Sequence, residues 1–141
     1  MECLLCGDSF PGRVRVWQDD LWRLSVVDHG AVVGFAHLEP LRHIPSIVEL
    51  DGPEAVTLGG VLARVTGAMR VATGAVRVYV YVFGERVPHL HFNLAPQQAD
   101  GVLAGGPGLL RPGAEELGRD LHVAAARAIA GRMSEGWMSE D

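Results

Sequence analysis

The chain has 141 residues, 48% of them hydrophobic and 21% charged, which is typical of a globular protein with a sizeable core. Its net charge of −5 argues against broad nucleic-acid binding, which usually needs a basic surface, but allows a small anionic ligand in a locally positive pocket. All 12 basic residues are arginines, which excludes a catalytic lysine, and no apolar run reaches the roughly 18 residues of a membrane span.

The N-terminal segment MECLLCGDSF carries the two cysteines, Cys3 and Cys6, in a C-x-x-C spacing. The segment lacks the basic region and apolar stretch of a signal peptide, so we expect a soluble cytoplasmic protein. In that compartment C-x-x-C indicates a metal half-site or a redox pair more often than a structural disulfide. Gly7, Asp8 and Pro11 favour a loop, and a zinc site in that loop needs two further ligands. Two unligated thiols are the remaining alternative.

The next part of the chain predicts three strands: Arg13–Gln18, Leu21–Val27 and Ala31–Leu38. The first two alternate or run apolar on either side of an Asp-Asp pair, which is the pattern of a hairpin. The sequence DHG, which begins at Asp28, ends the second strand, and Pro40 stops the third. The connection that follows, LRHIPSI, contains His43.

A long helix and a second hairpin are predicted next. From about Pro53 to Ala72 the apolar residues recur at three- and four-residue steps, which indicates an amphipathic helix that ends at Gly74. Its predicted apolar stripe consists of Leu58, Val61, Leu62, Val65 and Met69. Ala75–Phe83 is β-branched and aromatic, and after a Gly-Glu-Arg turn Val87–Ala95 is its predicted antiparallel partner.

The last part of the chain predicts a loop and a second helix. Residues 97–112 are rich in glycine and proline, and Gly113–Met133 has a helical apolar stripe of Leu117, Leu121, Ala124, Ala128 and Ile129. No repeat or linker divides the sequence. It therefore predicts one α+β domain over residues 1–141, an antiparallel sheet of about five strands with two helices packed on it.

The last predicted strand carries the motif VPHLHFNLAP, in which His89, His91 and Asn93 alternate with apolar residues. Residues two apart on a strand share a face, so these three polar side chains are expected to point the same way. Two neighbouring imidazoles can bind a metal, or one can act as nucleophile or base while the other has a separate duty. The alternative is that both lie on a solvated face of the sheet.

This motif resembles the histidine triad (HIT) motif H-φ-H-φ-H-φ-φ, where φ is apolar. Other segments are similar to the same family in order and spacing: CLLC to its zinc-bearing C-x-x-C, LEPLRHIPSIVEL to its proline-basic-histidine segment and helix, and FGERVPHLHFNLAP to its final hairpin. The resemblance covers about residues 2–96 and implies a HIT-like fold. It also implies a homodimer in which two sheets join edge to edge near the long helix.

A structural zinc ion is the cofactor that this resemblance implies. Matched residue by residue, its ligands are Cys3, Cys6, His43 and His89, a closed tetrahedral set of two thiolates and two imidazoles. His29 and His37 are the competing candidates. A histidine inside an apolar strand, as His37 is, more often forms a hydrogen bond in the core.

The resemblance also implies chemistry at the α-phosphorus of a small nucleotide. The middle histidine, His91, attacks and forms a nucleotidyl-histidine intermediate, while the carbonyl of His89 accepts the proton of its other ring nitrogen. Asp28 is near the position of a family acid that binds the ribose hydroxyls. Arg86 and Arg42 can neutralise phosphate charge, or they are surface arginines.

Asn93 stands where hydrolases of the family have a third histidine. A carboxamide can donate a hydrogen bond to a phosphate oxygen but cannot protonate a leaving group. The transferase and phosphorylase branch has glutamine there, so an amide is compatible with turnover. The resemblance therefore implies a nucleotide hydrolase or nucleotidyl transferase. The alternatives are a nucleotide phosphorylase and a catalytically silent nucleotide-binding protein.

Overall fold

The computed structural model describes residues 5–6, 11–83, 87–99 and 114–135, in which five strands form one antiparallel sheet. The strands are β1 Arg13–Gln18, β2 Trp22–Val27, β3 Ala36–Pro40, β4 Arg77–Tyr81 and β5 Phe92–Gln97, in the spatial order β1-β2-β3-β5-β4. The helices are α1 Gly52–Thr73 and α2 Arg119–Glu135, and a 3₁₀ turn, Ile47–Glu49, precedes α1. The predicted α+β class, with a five-stranded antiparallel sheet and two helices, is confirmed.

The sheet begins with the predicted hairpin, in which Gln18 lies opposite Arg23. Asp19 closes its turn, because its Oδ1 accepts hydrogen bonds from the backbone N–H groups of Leu21 (2.8 Å) and Trp22 (2.7 Å). An aspartate that satisfies backbone donors in this way favours a turn over a continued strand. The hairpin forms one edge of the sheet, and β4 forms the other.

The hydrophobic core lies between one face of the sheet and the two helices. Leu24 and Leu38 face each other in the register of β2 and β3 and are fully buried. The other core residues are Trp22, Val26, Ala36, Phe92 and Leu94 of the sheet, Val61, Val65 and Met69 of α1, Ala126, Ile129 and Met133 of α2, and Ile44 and Leu90 of the connecting segments. Because strand side chains alternate between faces, His37 and Glu39 of β3 lie on the opposite face.

The sequence signals at both ends of α1 are clear. Pro53 lies in its first turn, where the missing N–H would have no partner anyway, and Gly74 ends the helix with a left-handed φ of 72°. The predicted stripe is confirmed: Val61, Val65 and Met69 are buried, and Leu58 and Leu62 are partly buried.

In the described part of the chain α1 is the one helix long and apolar enough to cross a membrane. Its inner face, however, belongs to this core.

The third strand begins later than predicted, at Ala36 rather than Ala31. The connection from β2 is bent, and both Gly30 and Gly34 have positive φ angles, 98° and 83°. This left-handed conformation interrupts a strand and is one that glycine adopts without strain. At Gly34 a Cβ would also lie only 3.0 Å from Cγ2 of Thr73, so the close approach to α1 needs glycine as well.

The predicted helix Gly113–Met133 begins later in the structure, at Arg119, and ends at Glu135. Leu117 explains the delay, because its backbone N–H donates to the carbonyl of Gly30 (3.0 Å) and so holds this residue against the connection between β2 and β3. Most of the preceding loop, residues 100–113, lies outside the described residues.

The predicted stripe of α2 is confirmed at Ile129 but wrong at Leu121, Ala124 and Ala128. The buried residues are His122, Ala126, Ile129 and Met133, whereas Leu121 is 51% exposed and Ala124 and Ala128 are exposed. His122 is fully buried and donates from Nε2 to the carbonyl of Gly30 (3.0 Å). Histidine does not count as apolar in a periodicity pattern, and the hydrogen bond that allows His122 to be buried is not visible in the sequence. The buried face of α2 therefore could not be predicted correctly.

Candidate functional site

The H-x-H motif lies in an extended segment that leads into β5. The strand begins at Phe92 rather than at the predicted Val87, so His89 and His91 precede it. The backbone N–H of Leu90 donates to the carbonyl of Ile44 (2.7 Å), which attaches the segment to the loop after β3. The two histidines therefore have different neighbours and cannot be described simply as one strand face.

His89 joins Cys6 and His43 in a cluster of metal-ligating side chains. Sγ of Cys6 lies 3.1 Å from Nδ1 of His43 and 3.3 Å from Nδ1 of His89. All three candidate ligand atoms lie within 4.8 Å of one another. A thiolate and two imidazoles are ligands that zinc prefers, and a common centre within reach of all three is what a metal site requires. The cluster could therefore hold a metal ion.

The hydrogen bonding of His89 fits a metal ligand. Its ring is fully buried, and Nε2 donates to the carbonyl of Pro40 (2.8 Å), which leaves the Nδ1 lone pair directed at the cluster. Metal-bound histidines usually donate their other ring N–H to an outer partner in this way. Burial lowers the pKa of His89, which favours the neutral form that binds a metal.

The remaining candidates for the metal site fall elsewhere. Cys3, the fourth predicted ligand, lies outside the described residues. His29 is largely exposed and lies beside Asp28, with 3.2 Å between Nδ1 and Oδ1. His37 contacts His91 instead of the cluster formed by Cys6, His43 and His89.

His91 is oriented by the backbone of the other motif histidine. Its Nδ1 lies 2.8 Å from the carbonyl oxygen of His89. A carbonyl only accepts, so Nδ1 carries the proton and Nε2 of the neutral ring keeps its lone pair. This is the arrangement in which an imidazole can act as a nucleophile.

Asn93 lies on β5 directly opposite His37 of β3 and Tyr81 of β4. Its Nδ2 donates to the backbone carbonyl of Tyr81 (3.2 Å), which uses one of its two N–H groups. The side chain is buried, so the hydrogen bond fixes which way the amide points. Within the described part of the chain, the second N–H and the amide oxygen make no hydrogen bond, so both can contact a ligand.

Sequence reasoning missed a buried charged group beside these residues. Arg13 donates to Oε1 of Glu39 (2.6 Å), and its Nη1 lies 3.3 Å from Nδ1 of His37. Arg23 reaches the other carboxylate oxygen of Glu39 at 3.5 Å. The side chain of Glu39 is fully buried, and those of Arg13 and Arg23 are 6% and 5% exposed. The signal in the sequence that could have revealed this group is the pair His37 and Glu39, two residues apart in an otherwise apolar strand.

Aromatic side chains continue this face toward the far edge of the sheet. The ring of His37 packs edge-on against His91 (5.3 Å between centroids) and Phe35 (5.6 Å). Phe35 in turn lies 6.5 Å from Tyr81, and Tyr81 lies 5.2 Å from Phe83. Trp22, by contrast, belongs to the core on the other side of the sheet.

The other residues predicted to contact the nucleotide either bind other protein side chains or lie outside the described residues. Hydrogen bonds from His29 and then Arg119 hold the pKa of Asp28 below its ordinary value. Arg42 pairs with Glu54 (2.8 Å) and Asp51 (2.9 Å), so it anchors the start of α1. Arg86 lies outside the described residues.

Solved structures share this fold. A zinc-bound histidine triad family protein from Mycobacterium smegmatis superimposes with a TM-score of 0.71, at 15% identity over 96% of this chain and 98% of that chain. The fold is that of the histidine triad proteins. A histidine triad protein from Sinorhizobium meliloti has a TM-score of 0.70, at 20% identity over 85% of this chain and 89% of that one.

The histidine triad fold is also shared with a hypothetical histidine triad nucleotide-binding protein from Sulfolobus tokodaii. That structure has a TM-score of 0.69 and 15% identity, over 86% of this chain and 84% of its own. No protein-family model matches the sequence, and no curated protein matches it. The likeness is therefore one of fold, and the chemistry depends on this chain's own residues.

Proposed function

We propose that this protein is a single-domain member of the histidine triad superfamily that cleaves or transfers a nucleotidyl group through His91. The observation that carries the proposal is the hydrogen bond between Nδ1 of His91 and the carbonyl of His89 (2.8 Å). It leaves Nε2 as a neutral nucleophile, as the resemblance of VPHLHFNLAP to the family motif requires. The relative from Sulfolobus tokodaii named as nucleotide-binding supports a small nucleotide as the ligand.

The proposed reaction has two displacements at the α-phosphorus. Nε2 of His91 attacks, a P–N bond forms, and the P–O bond to the leaving group breaks with its electron pair staying on that oxygen. The oxygen of water or another acceptor then attacks the nucleotidyl-histidine, the P–N bond breaks with its electron pair returning to Nε2, and the proton of the acceptor passes to solvent. The carbonyl of His89 stabilises the Nδ1–H while the ring carries the positive charge of the intermediate.

Asn93 limits which leaving groups are suitable. One N–H of its amide is held by the carbonyl of Tyr81, and the other can donate to a phosphate oxygen. A carboxamide has no acidic proton to give to a departing oxygen. The proposal therefore favours substrates whose leaving group is stable as an anion, such as a phosphate.

Asp28 and Arg86 keep their proposed roles as ribose and phosphate ligands. Asp28 is already ion-paired with Arg119 (2.9 Å), so binding ribose hydroxyls requires it to share its carboxylate or exchange that partner. The zinc ion is proposed to be structural, held by Cys3, Cys6, His43 and His89. It would join the N-terminal segment to the loop after β3 and to the motif, and it would take no part in the reaction.

The proposed function is tested with nucleotides that carry a good leaving group. The para-nitrophenyl esters of AMP, GMP, UMP and CMP are incubated with the zinc-loaded protein, and released nitrophenolate and mononucleotide are measured. We expect turnover of at least one ester and a covalent nucleotidyl label in acid-sensitive linkage to His91. Binding of the mononucleotides without any release or label would instead support the silent nucleotide-binding alternative.

The phosphorylase alternative is separated from hydrolysis by the product. With inorganic phosphate present, a phosphorylase yields the nucleoside diphosphate, whereas a hydrolase yields the monophosphate whether phosphate is added or not. The absence of a third imidazole at Asn93 is the feature that favours testing phosphate as the acceptor.

A homodimer is proposed from the exposed apolar surface at one edge of the sheet. Among the strands that the structure describes, β4 pairs with β5 alone, and Val76 and Val80 are 45% and 43% exposed there. Val56 and Val71 on the outer side of α1 are exposed too. Apolar side chains along an open strand edge favour pairing with another chain.

Light scattering at micromolar concentration is expected to give twice the 15.1 kDa chain mass. Val80→Glu should shift the protein toward the monomer, because it places a charge beside the open edge. Val48→Glu is the matched control, since Val48 is exposed (87%) but lies on the 3₁₀ turn. A wild-type mass of one chain would contradict the proposal.

Cytoplasmic localisation and the absence of nucleic-acid partners remain predictions from composition and charge.

A further inference from the structure

His37 is a second histidine beside the proposed nucleophile. The two ring centroids are 5.3 Å apart and the rings meet at 63°, so no side chain lies between His37 and His91. His37 also lies directly opposite Asn93 in the register of β3 and β5. A group bound between His91 and Asn93 is therefore within contact range of His37.

The neighbours of His37 select one form of its ring. Nη1 of Arg13 lies 3.3 Å from its Nδ1, and a guanidinium can only donate, so Nδ1 must accept. The proton of the neutral ring is then on Nε2. Burial first, and then the charges of Arg13 and His91, lower the pKa of His37 to about 3, so the ring is neutral near pH 7.

The arginine that selects this tautomer is itself fixed. Arg13 forms a 2.6 Å ion pair with Glu39, and Arg23 contacts the same carboxylate from β2. The edge-on contact with Phe35 (5.6 Å between centroids) limits rotation of the His37 ring. A buried ion pair adds little net stability, and its best-supported use is to specify one geometry. Here that geometry is the orientation of an imidazole.

The ring nitrogen that carries the proton has no partner of its own. Within residues 5–6, 11–83, 87–99 and 114–135, His37 is hydrogen-bonded at Nδ1 and not at Nε2. His89, by contrast, uses both ring nitrogens, and His91 uses Nδ1. A donor held rigidly beside a reaction centre can stabilise charge without reorganising. Asn93 has only one N–H left for this purpose.

We propose, resting on the function proposed above, that His37 is a further active-site residue whose Nε2–H donates a hydrogen bond to a non-bridging oxygen of the phosphoryl group attacked by His91. It supplies, with the remaining N–H of Asn93, the donors that a third motif histidine would otherwise provide. Its role is charge stabilisation and orientation, because a neutral ring held in this way does not transfer its proton to the leaving group.

The kinetic test compares two variants with the nitrophenyl ester that the wild-type protein turns over. His37→Phe keeps an aromatic ring beside Phe35 but removes the donor, and we expect kcat/KM to fall about 30- to 100-fold, mainly in kcat. His37→Gln retains an N–H donor and should stay within about tenfold of the wild type. Equal losses in both variants, or a loss below about threefold in His37→Phe, would overturn the proposal while leaving the proposed function intact.

A spectroscopic test does not depend on turnover. Long-range ¹⁵N–¹H correlation spectra of the zinc-loaded wild-type protein should show His37 as the Nε2–H tautomer at pH 7. AMP should shift that Nε2 resonance, and the shift should be absent for adenosine, which lacks the phosphate. A protonated Nδ1, a charged His37 ring, or an equal Nε2 shift with adenosine would contradict the proposal. This test gives a result whether or not the protein turns over an ester.

Discussion

His91→Ala is expected to lower turnover of the nitrophenyl nucleotide esters at least about 10³-fold, while the fold and zinc content stay unchanged. The reason is that the substitution removes the atom that forms the P–N bond, and with it the covalent route. His91 is only partly buried and is not among the clustered side chains of Cys6, His43 and His89. Its loss should therefore not disturb the metal site. Stopped-flow release of nitrophenolate gives the rate.

The control for this prediction is chemical rescue. In His91→Gly, added imidazole can occupy the vacated space and restore part of the turnover, because the neighbouring carbonyl of His89 and ring of His37 remain in place. Full activity in His91→Ala would contradict the proposed mechanism.

The fold was predictable because its signals are local. The Asp-Asp turn at Asp19, the periodicity of α1 and Gly74 at its end each follow from the preference of a few adjacent residues. The predicted boundaries were wrong where a contact between residues distant in sequence determines the start of an element. β3 begins late because Gly34 passes against Thr73 of α1, and α2 begins late because Leu117 binds the carbonyl of Gly30.

The candidate site was predictable only in part for the same reason. His89, His91 and Asn93 follow one another in sequence, so their spacing reveals a motif. The neighbours of His91 come from another strand: His37 is brought beside it by the pairing of β3 with β5, and Arg13 by the pairing of β1 with β2. Nothing in the local sequence around Arg13 indicates that its partner is a histidine on β3.

His89→Ala is expected to lower both the stability of the fold and the zinc content of the protein. His89 is fully buried, its Nε2 is bonded to the carbonyl of Pro40, and its Nδ1 faces Cys6. Removing the ring leaves a cavity, an unpaired carbonyl and an incomplete ligand set. Lost packing and a buried unsatisfied acceptor together cost about 3 kcal/mol or more of unfolding free energy, which corresponds to a fall in Tm of about 10 °C.

The measurement is a thermal melt with metal analysis of protein purified without chelator. The wild-type protein should carry about one zinc per chain, and His89→Ala clearly less, because structural zinc depends on all of its ligands. His91→Ala is the internal control: it lies two residues away in the same motif, so equal metal loss and equal destabilisation in both variants would contradict separate duties for the two histidines.

Chelation of wild-type protein should lower its Tm toward that of His89→Ala, but not below it, because chelation leaves the buried ring and its bond to Pro40 in place. A zinc-free wild-type protein with an unchanged melt would refute the structural role of the metal while leaving the proposed nucleophile standing.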